Sequence, residues 1–175
     1  MRKLDKKRRL ENKTNYNKRR LLLEGKKPRI VIRKSNKYLL VQYVESKEAQ
    51  DTVKTSAISS ELTSYGWPTE AKGSLKSLGA SYLTGFLFGK RVLGLKLAPA
   101  IVDLGLIRST KGGRVYALIK GIIEAGFKVP CSEEIMPTDE MIERNDKIDV
   151  GDIKSQIELE KKLQTKQEEK KGVKK

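Results

Sequence analysis

The chain has 175 residues, 38 Lys and Arg against 22 Asp and Glu, a net charge of +16, one cysteine and no histidine. That length holds one compact core of roughly 100–130 residues with tails, and that charge calls for a polyanionic partner, nucleic acid first. A disulfide framework, a zinc finger and any histidine-based acid–base pair are excluded within the chain. No apolar run approaches the roughly 18–20 residues of a spanning helix, and the first residues lack the apolar stretch of a secretion signal, so neither a membrane span nor secretion is expected.

The charge is unevenly spread. Residues 1–37 carry 16 basic and 3 acidic side chains, residues 38–130 carry 12 and 7, and residues 131–175 carry 10 and 12. This predicts a basic RNA-binding arm over 1–27, an α/β domain over 28–130 and a charged C-terminal extension over 131–175. In the arm, Lys6-Lys7-Arg8-Arg9 and Lys18-Arg19-Arg20 are spaced by Leu4, Leu10, Tyr16 and Leu21-Leu22-Leu23. These apolar residues are too few for a core of their own, so the arm is expected to order only on its partner.

Arg29-Ile30-Val31-Ile32-Arg33 and Tyr38-Leu39-Leu40-Val41-Gln42-Tyr43-Val44 read as strands around the polar turn Lys34-Ser35-Asn36-Lys37, a hairpin with a basic tip. A third strand is predicted over 52–57, with Val53, Thr55 and Ala57 on one side, which completes an antiparallel meander. Between Ser59 and Ser77 the chain turns to Gly, Ser, Thr and Pro, with a short helix at Glu61-Leu62 and a loop at Tyr65-Gly66-Trp67-Pro68. Trp67 is more simply a packing residue than a base-stacking one.

From Leu75 the apolar spacing becomes helical through Leu78, Tyr82, Leu83, Phe86, Leu87 and Leu93. Ala98 to Gly105 is nearly all apolar and reads as a short strand inside a sheet, with Pro99 at its start. Val115, Leu118, Ile119, Ile122 and Ile123 form an amphipathic helix that stops before Gly126. The fold expected is α/β, a mixed sheet made of the meander plus a further strand and packed by helices. After about Asp146 only Ile153, Ile157 and Leu163 keep an apolar spacing, so fraying is expected there.

Arg108-Ser109-Thr110-Lys111-Gly112-Gly113-Arg114 joins a strand to a helix and sets cations, hydroxyls and glycines at a helix N-terminus. There, backbone N–H groups and the helix dipole favour phosphate. The nearest approach to a nucleotide-binding loop, Gly85-Phe86-Leu87-Phe88-Gly89-Lys90-Arg91, is one residue short and lies inside an amphipathic helix, so it reads as packing. Asp103 is the only acid on a predicted central strand and the best candidate for a metal ligand, while Glu133-Glu134 read as a helix start or surface loop. Cys131 has no histidine to activate it and reads as an idle thiol.

Taken in order, these segments resemble a known family. Thr14-Asn15-Tyr16 with Lys18-Arg19-Arg20, the run Lys27 to Lys37, Tyr65-Gly66-Trp67, Ala80-Ser81-Tyr82-Leu83-Thr84-Gly85, Asp103-Leu104-Gly105-Leu106, Arg108 to Ala117 and Val129-Pro130 are similar to the universal 5S ribosomal RNA-binding protein of the large subunit, number eighteen. The likeness runs from about residue 10 to about 145, and Tyr65-Gly66-Trp67 points to its archaeal and eukaryotic branch. It departs at Tyr38 and Cys131, where family members often carry histidine.

The resemblance implies a structural constituent of the cytoplasmic ribosome, without cofactor or catalysis. Such a protein binds 5S ribosomal RNA and attaches it to the large-subunit RNA in the central protuberance, beside neighbouring ribosomal proteins. The contacts it implies are Arg8, Arg9, Tyr16, Lys18, Arg19 and Arg20 in the arm, Arg33, Lys34, Ser35, Asn36 and Lys37 at the hairpin, and Arg108, Thr110, Lys111, Gly112 and Arg114 in the loop. Two other readings of the residues are a general RNA chaperone and, less favoured, a metal-dependent RNA nuclease using Asp103.

Overall fold

A computed structural model describes residues 6–11, 13–48, 50–68, 75–143 and 149–159. The meander forms as expected from β1 (Arg29–Lys34), β2 (Leu39–Lys47) and β3 (Gln50–Ile58), and β4 (Ile101–Asp103) adds a parallel partner to β1. The order is β3-β2-β1-β4, a four-stranded mixed sheet. The hairpin turn is closed by Ser35, whose amide donates to the Tyr38 carbonyl at 2.9 Å and whose hydroxyl accepts from the Tyr38 amide at 2.9 Å.

Strand alternation puts Ile30, Ile32, Val41, Tyr43 and Ala57 into one core. Against that core lie α3 (Leu78–Gly94) and α4 (Arg114–Glu124). Phe86, Phe88, Leu118 and Ile122 are all at most 1 % exposed, and each such burial is worth about 1.5–3 kcal/mol before entropy is counted. The two helices approach closely because glycines meet backbone: a Cβ on Gly121 would lie 2.8 Å from the Phe86 amide nitrogen. The Gly85 to Gly89 stretch is thus packing, with no phosphate loop.

Several expectations are corrected. α3 starts at Leu78, not Leu75, because the Ser77 side chain caps it by accepting from the Ala80 amide at 3.2 Å. Val53 is 48 % exposed while Ala57 is fully buried; a bulge opposite Tyr43 and Val44 breaks the two-residue alternation between them. The strand predicted over 98–105 shrinks to three residues at the sheet edge. Its apolar run is covered by packing of Leu97, Val102 and Leu104 on the core rather than by strands on both sides. Trp67, by contrast, packs as expected: it is 2 % exposed and belongs to the core, so it offers no face to a base.

The ends of the chain are also more built than their composition predicts. The arm contains α1 (Lys7–Leu10) and α2 (Tyr16–Glu24), the latter capped by the Asn15 side chain, which accepts from the Lys18 amide at 3.1 Å. At the other end residues 150–159 are helical, with Val150, Ile153 and Ile157 buried. Lys154 of that helix donates to the Tyr82 hydroxyl at 2.7 Å and pairs with Glu124 at 3.0 Å. Three buried apolar side chains and a polar anchor thus hold this helix to the domain. Leu163 lies outside the described residues.

Candidate nucleic-acid interface

The β4–α4 connection is shaped by a carboxylate and two glycines. Asp103 accepts from the Gly105 amide at 2.8 Å and turns the chain at the edge of β4. Gly105 and Gly112 adopt φ of +59° and +65°, a region that favours glycine. Farther on, the Gly112 amide donates to the Ile135 carbonyl at 2.9 Å, so residues after α4 brace the loop from behind. Ser109 and the Tyr116 hydroxyl are hydrogen-bonded to each other across the loop. α4 then begins after Gly113 with no side-chain cap and no acid in its first turn. The Tyr116 and Ala117 amides donate to the Gly113 carbonyl at 3.0 Å, so the Arg114 and Val115 amides are the ones at this helix start with no anionic group of the chain's own, as an approaching phosphate requires.

Two concave surfaces meet at this loop. A cavity of about 200 Å³ is lined by Lys34, Ile107, Arg108, Thr110, Gly113, Arg114 and Val115. A larger one, about 410 Å³, lies between the arm and the sheet and includes Arg8, Lys18, Arg19, Arg33 and Lys34 among its lining residues. Lys34 and Ile107 belong to both, so arm, base of the hairpin tip and loop form one continuous cationic surface.

Of the residues named from the sequence, Arg8, Lys18, Arg19, Arg33, Lys34, Arg108, Thr110 and Arg114 line these cavities, whereas Arg9, Tyr16, Arg20, Ser35, Asn36, Lys37, Lys111 and Gly112 line neither, and the set separates further by its bonds. Several are committed inside the chain: Arg8 to the Thr14 hydroxyl at 3.1 Å, Lys18 to the Gly105 carbonyl at 3.4 Å, Arg19 to Asp51 at 2.9 Å and Arg20 to Glu24 at 3.3 Å. Arg33 donates to the Asp103 carboxylate at 3.2 Å and to its carbonyl at 3.0 Å. Tyr16 has Lys6 over its ring at 4.7 Å, and the Ser35 hydroxyl is spent on the turn. By contrast, the side chains of Lys34, Asn36, Lys37, Arg108, Thr110, Lys111 and Arg114 have no partner among the described residues. Arg9 is exposed on α1.

The expectation that the arm orders only on its partner is corrected here, because Lys18 and Arg19 fasten α2 to the sheet and to the loop. Sequence reading weighs Asp103 as a metal ligand and misses the arginine pairings of Asp51 and Asp103 that make this possible. Asp51 receives Arg19 and also Arg29 at 2.6 Å, and Asp103 receives Arg29 at 3.4 Å as well as Arg33. Asp103 is therefore committed to arginines and to the Gly105 amide. Among the described residues no group of three His, Cys, Asp or Glu converges as metal ligands would. Burial pushes the Cys131 thiol up, away from the reactive thiolate.

Residues 2–99 match the family profile described as "Ribosomal large subunit proteins 60S L5, and 50S L18". Large ribosomal subunit protein uL18 of Korarchaeum cryptofilum is 45 % identical over 135 residues, 77 % of this chain and 67 % of that protein. The protein of the same name from Methanospirillum hungatei is 44 % identical over 133 residues, 76 % of this chain and 74 % of its own length. That from Aeropyrum pernix is 44 % identical over 136 residues, 77 % of this chain and 62 % of its own length. With a basic α/β domain of the expected topology and matches of this extent, the chain belongs to the uL18 family of large-subunit ribosomal proteins, structural constituents of the ribosome and not enzymes.

Proposed function

We propose that the chain binds 5S ribosomal RNA and attaches it to the large-subunit RNA in the central protuberance, as a cytoplasmic ribosomal protein serving translation. The observation that carries this reading is the continuity of the arm, hairpin base and loop across the two cavities joined at Lys34 and Ile107. Lys34, Lys37, Arg108, Lys111 and Arg114, with no partner of their own among the described residues, supply phosphate neutralisation. The uncapped start of α4 supplies aligned amides. A concave cationic surface of this kind reads the shape of a folded RNA more than its base sequence.

The test is competition at near-physiological salt, with labelled 5S RNA bound to the full chain and challenged by excess transfer RNA. The 5S complex is expected to persist. Displacement by equimolar transfer RNA would refute a specific 5S role and leave a general polyanion binder.

A further inference from the structure

A carboxylate amid cations that face a polyanion is costly to binding unless the cations depend on it. Asp51, near the start of β3, is in that position: one oxygen receives Arg19 of α2 at 2.9 Å, and the other accepts from Arg29 at 2.6 Å and from the Ser46 hydroxyl at 2.5 Å. Arg29 is 2 % exposed and reaches on to Asp103. Asp103 holds the Gly105 amide, and the Gly105 carbonyl accepts from Lys18 of α2. The bonds thus form a closed circuit from the arm through Asp51, the buried Arg29, Asp103 and Gly105 back to the arm. Burial raises the Asp51 carboxyl, but the Ser46 hydrogen bond and the two arginines outweigh it and hold the group below the usual carboxylate range.

We infer that Asp51 is a positioning residue for RNA binding: it latches α2 to the sheet so that the arm is already aligned with the hairpin tip and the β4–α4 loop when RNA arrives. This rests on the RNA-binding reading above and adds a residue of the opposite charge to it. Without the latch, the competent arrangement is only part of the population, and the apparent affinity falls by that fraction. Simple electrostatics gives the opposite sign, since removing a negative charge and releasing Arg19 should tighten RNA binding. The sign of the effect is therefore decisive.

The experiment measures 5S RNA affinity of the full chain and of Asp51→Asn, Asp51→Glu, Arg19→Ala and the double variant Asp51→Asn with Arg19→Ala, across a salt series. Asp51→Asn keeps an oxygen for Arg29, and is expected to weaken binding about two- to fivefold, the scale of a partly exposed ion pair. Its salt slope should rise by no more than about 1, because Arg19 loses the carboxylate beside it while the other cations meet the RNA as before. Asp51→Glu should recover most of the loss, and Asp51→Asn should add nothing once Arg19 is gone. Equal or tighter binding by Asp51→Asn, or losses that simply add in the double variant, would overturn the latch. If the parent chain shows no 5S preference, the functional reading fails separately. The latch is then judged by tryptic cleavage between residues 13 and 20, expected to accelerate in Asp51→Asn, and an unchanged rate overturns it.

Discussion

Replacing Gly121 by Ala probes the contact that fixes where α4, and with it the loop, sits on the domain. The new Cβ would lie 2.8 Å from the Phe86 amide nitrogen and closer still to the Tyr82 carbonyl oxygen. In an open helix the change would help by up to about 1 kcal/mol, through propensity and a less free unfolded chain. Here the obstacle is backbone, so α3 and α4 must separate by roughly an ångström in an interior that has no slack. Overpacking costs about 1–3 kcal/mol, and separation also loosens Phe86, Phe88, Leu118 and Ile122, at about 0.8 kcal/mol for each methylene uncovered. The expected net loss is about 2–4 kcal/mol. Urea unfolding followed by the fluorescence of Trp67, 2 % exposed in the folded chain, reads it directly. Gly25→Ala is the control, because its nearest neighbour would lie 3.6 Å away. Stability within about 0.5 kcal/mol of the parent for Gly121→Ala would refute the close approach of the two helices.

Replacing Lys111 and Arg114 together is expected to weaken 5S binding more than replacing Lys170 and Lys171, and to flatten the salt dependence by roughly 0.7–0.9 per lost phosphate contact; equal losses in filter binding would remove the loop from the interface. The Tyr82 phenol is pushed up to about 12 by burial and its hydrogen bond to Glu124, against the opposing pull of Lys154. A folded value above the usual one of about 10 gives stability that is present below pH 10 and lost as pH climbs towards 12. Tyr82→Phe should accordingly lose less stability than the parent between pH 10 and 12, and parallel curves in denaturant titrations would refute that. Ile153→Ala, at a site 4 % exposed, should cost about 2–3 kcal/mol; no change in the urea midpoint would show that the helix over 150–159 contributes nothing to the fold.

The elements legible in the sequence were those whose signal is local. The hairpin around Ser35, the core face of α3 and the stop of α4 at Gly126 follow from turn chemistry and periodicity, and the mixed sheet followed from their order. Tertiary partners were not legible. Nothing around Val53 announces the bulge, and nothing in an all-apolar run from Ala98 distinguishes a sheet edge covered by side chains from a strand buried between neighbours. Counting apolar residues predicts an arm that orders only on its partner and a C-terminal segment that frays. Their anchors are polar and distant in sequence, 32 residues from Arg19 to Asp51 and 72 from Lys154 to Tyr82.

The same distant pairings bear on how many cations meet the RNA. Composition treats every Lys and Arg of the arm, hairpin and loop as available, yet Arg19 and Arg33 each bring a carboxylate with them, Asp51 and Asp103. A phosphate that meets such a pair gains less neutralisation than one that meets Lys34, Lys37, Arg108, Lys111 or Arg114, which have no acid beside them among the described residues. Binding by those five cations alone gives a salt slope of roughly 4, whereas counting every named Lys and Arg gives about 8–10. A slope in the range of about 4–6 is expected for the full chain with 5S RNA. A value near 10 would mean that these ion pairs open on binding and that Arg19 and Arg33 exchange Asp51 and Asp103 for phosphate.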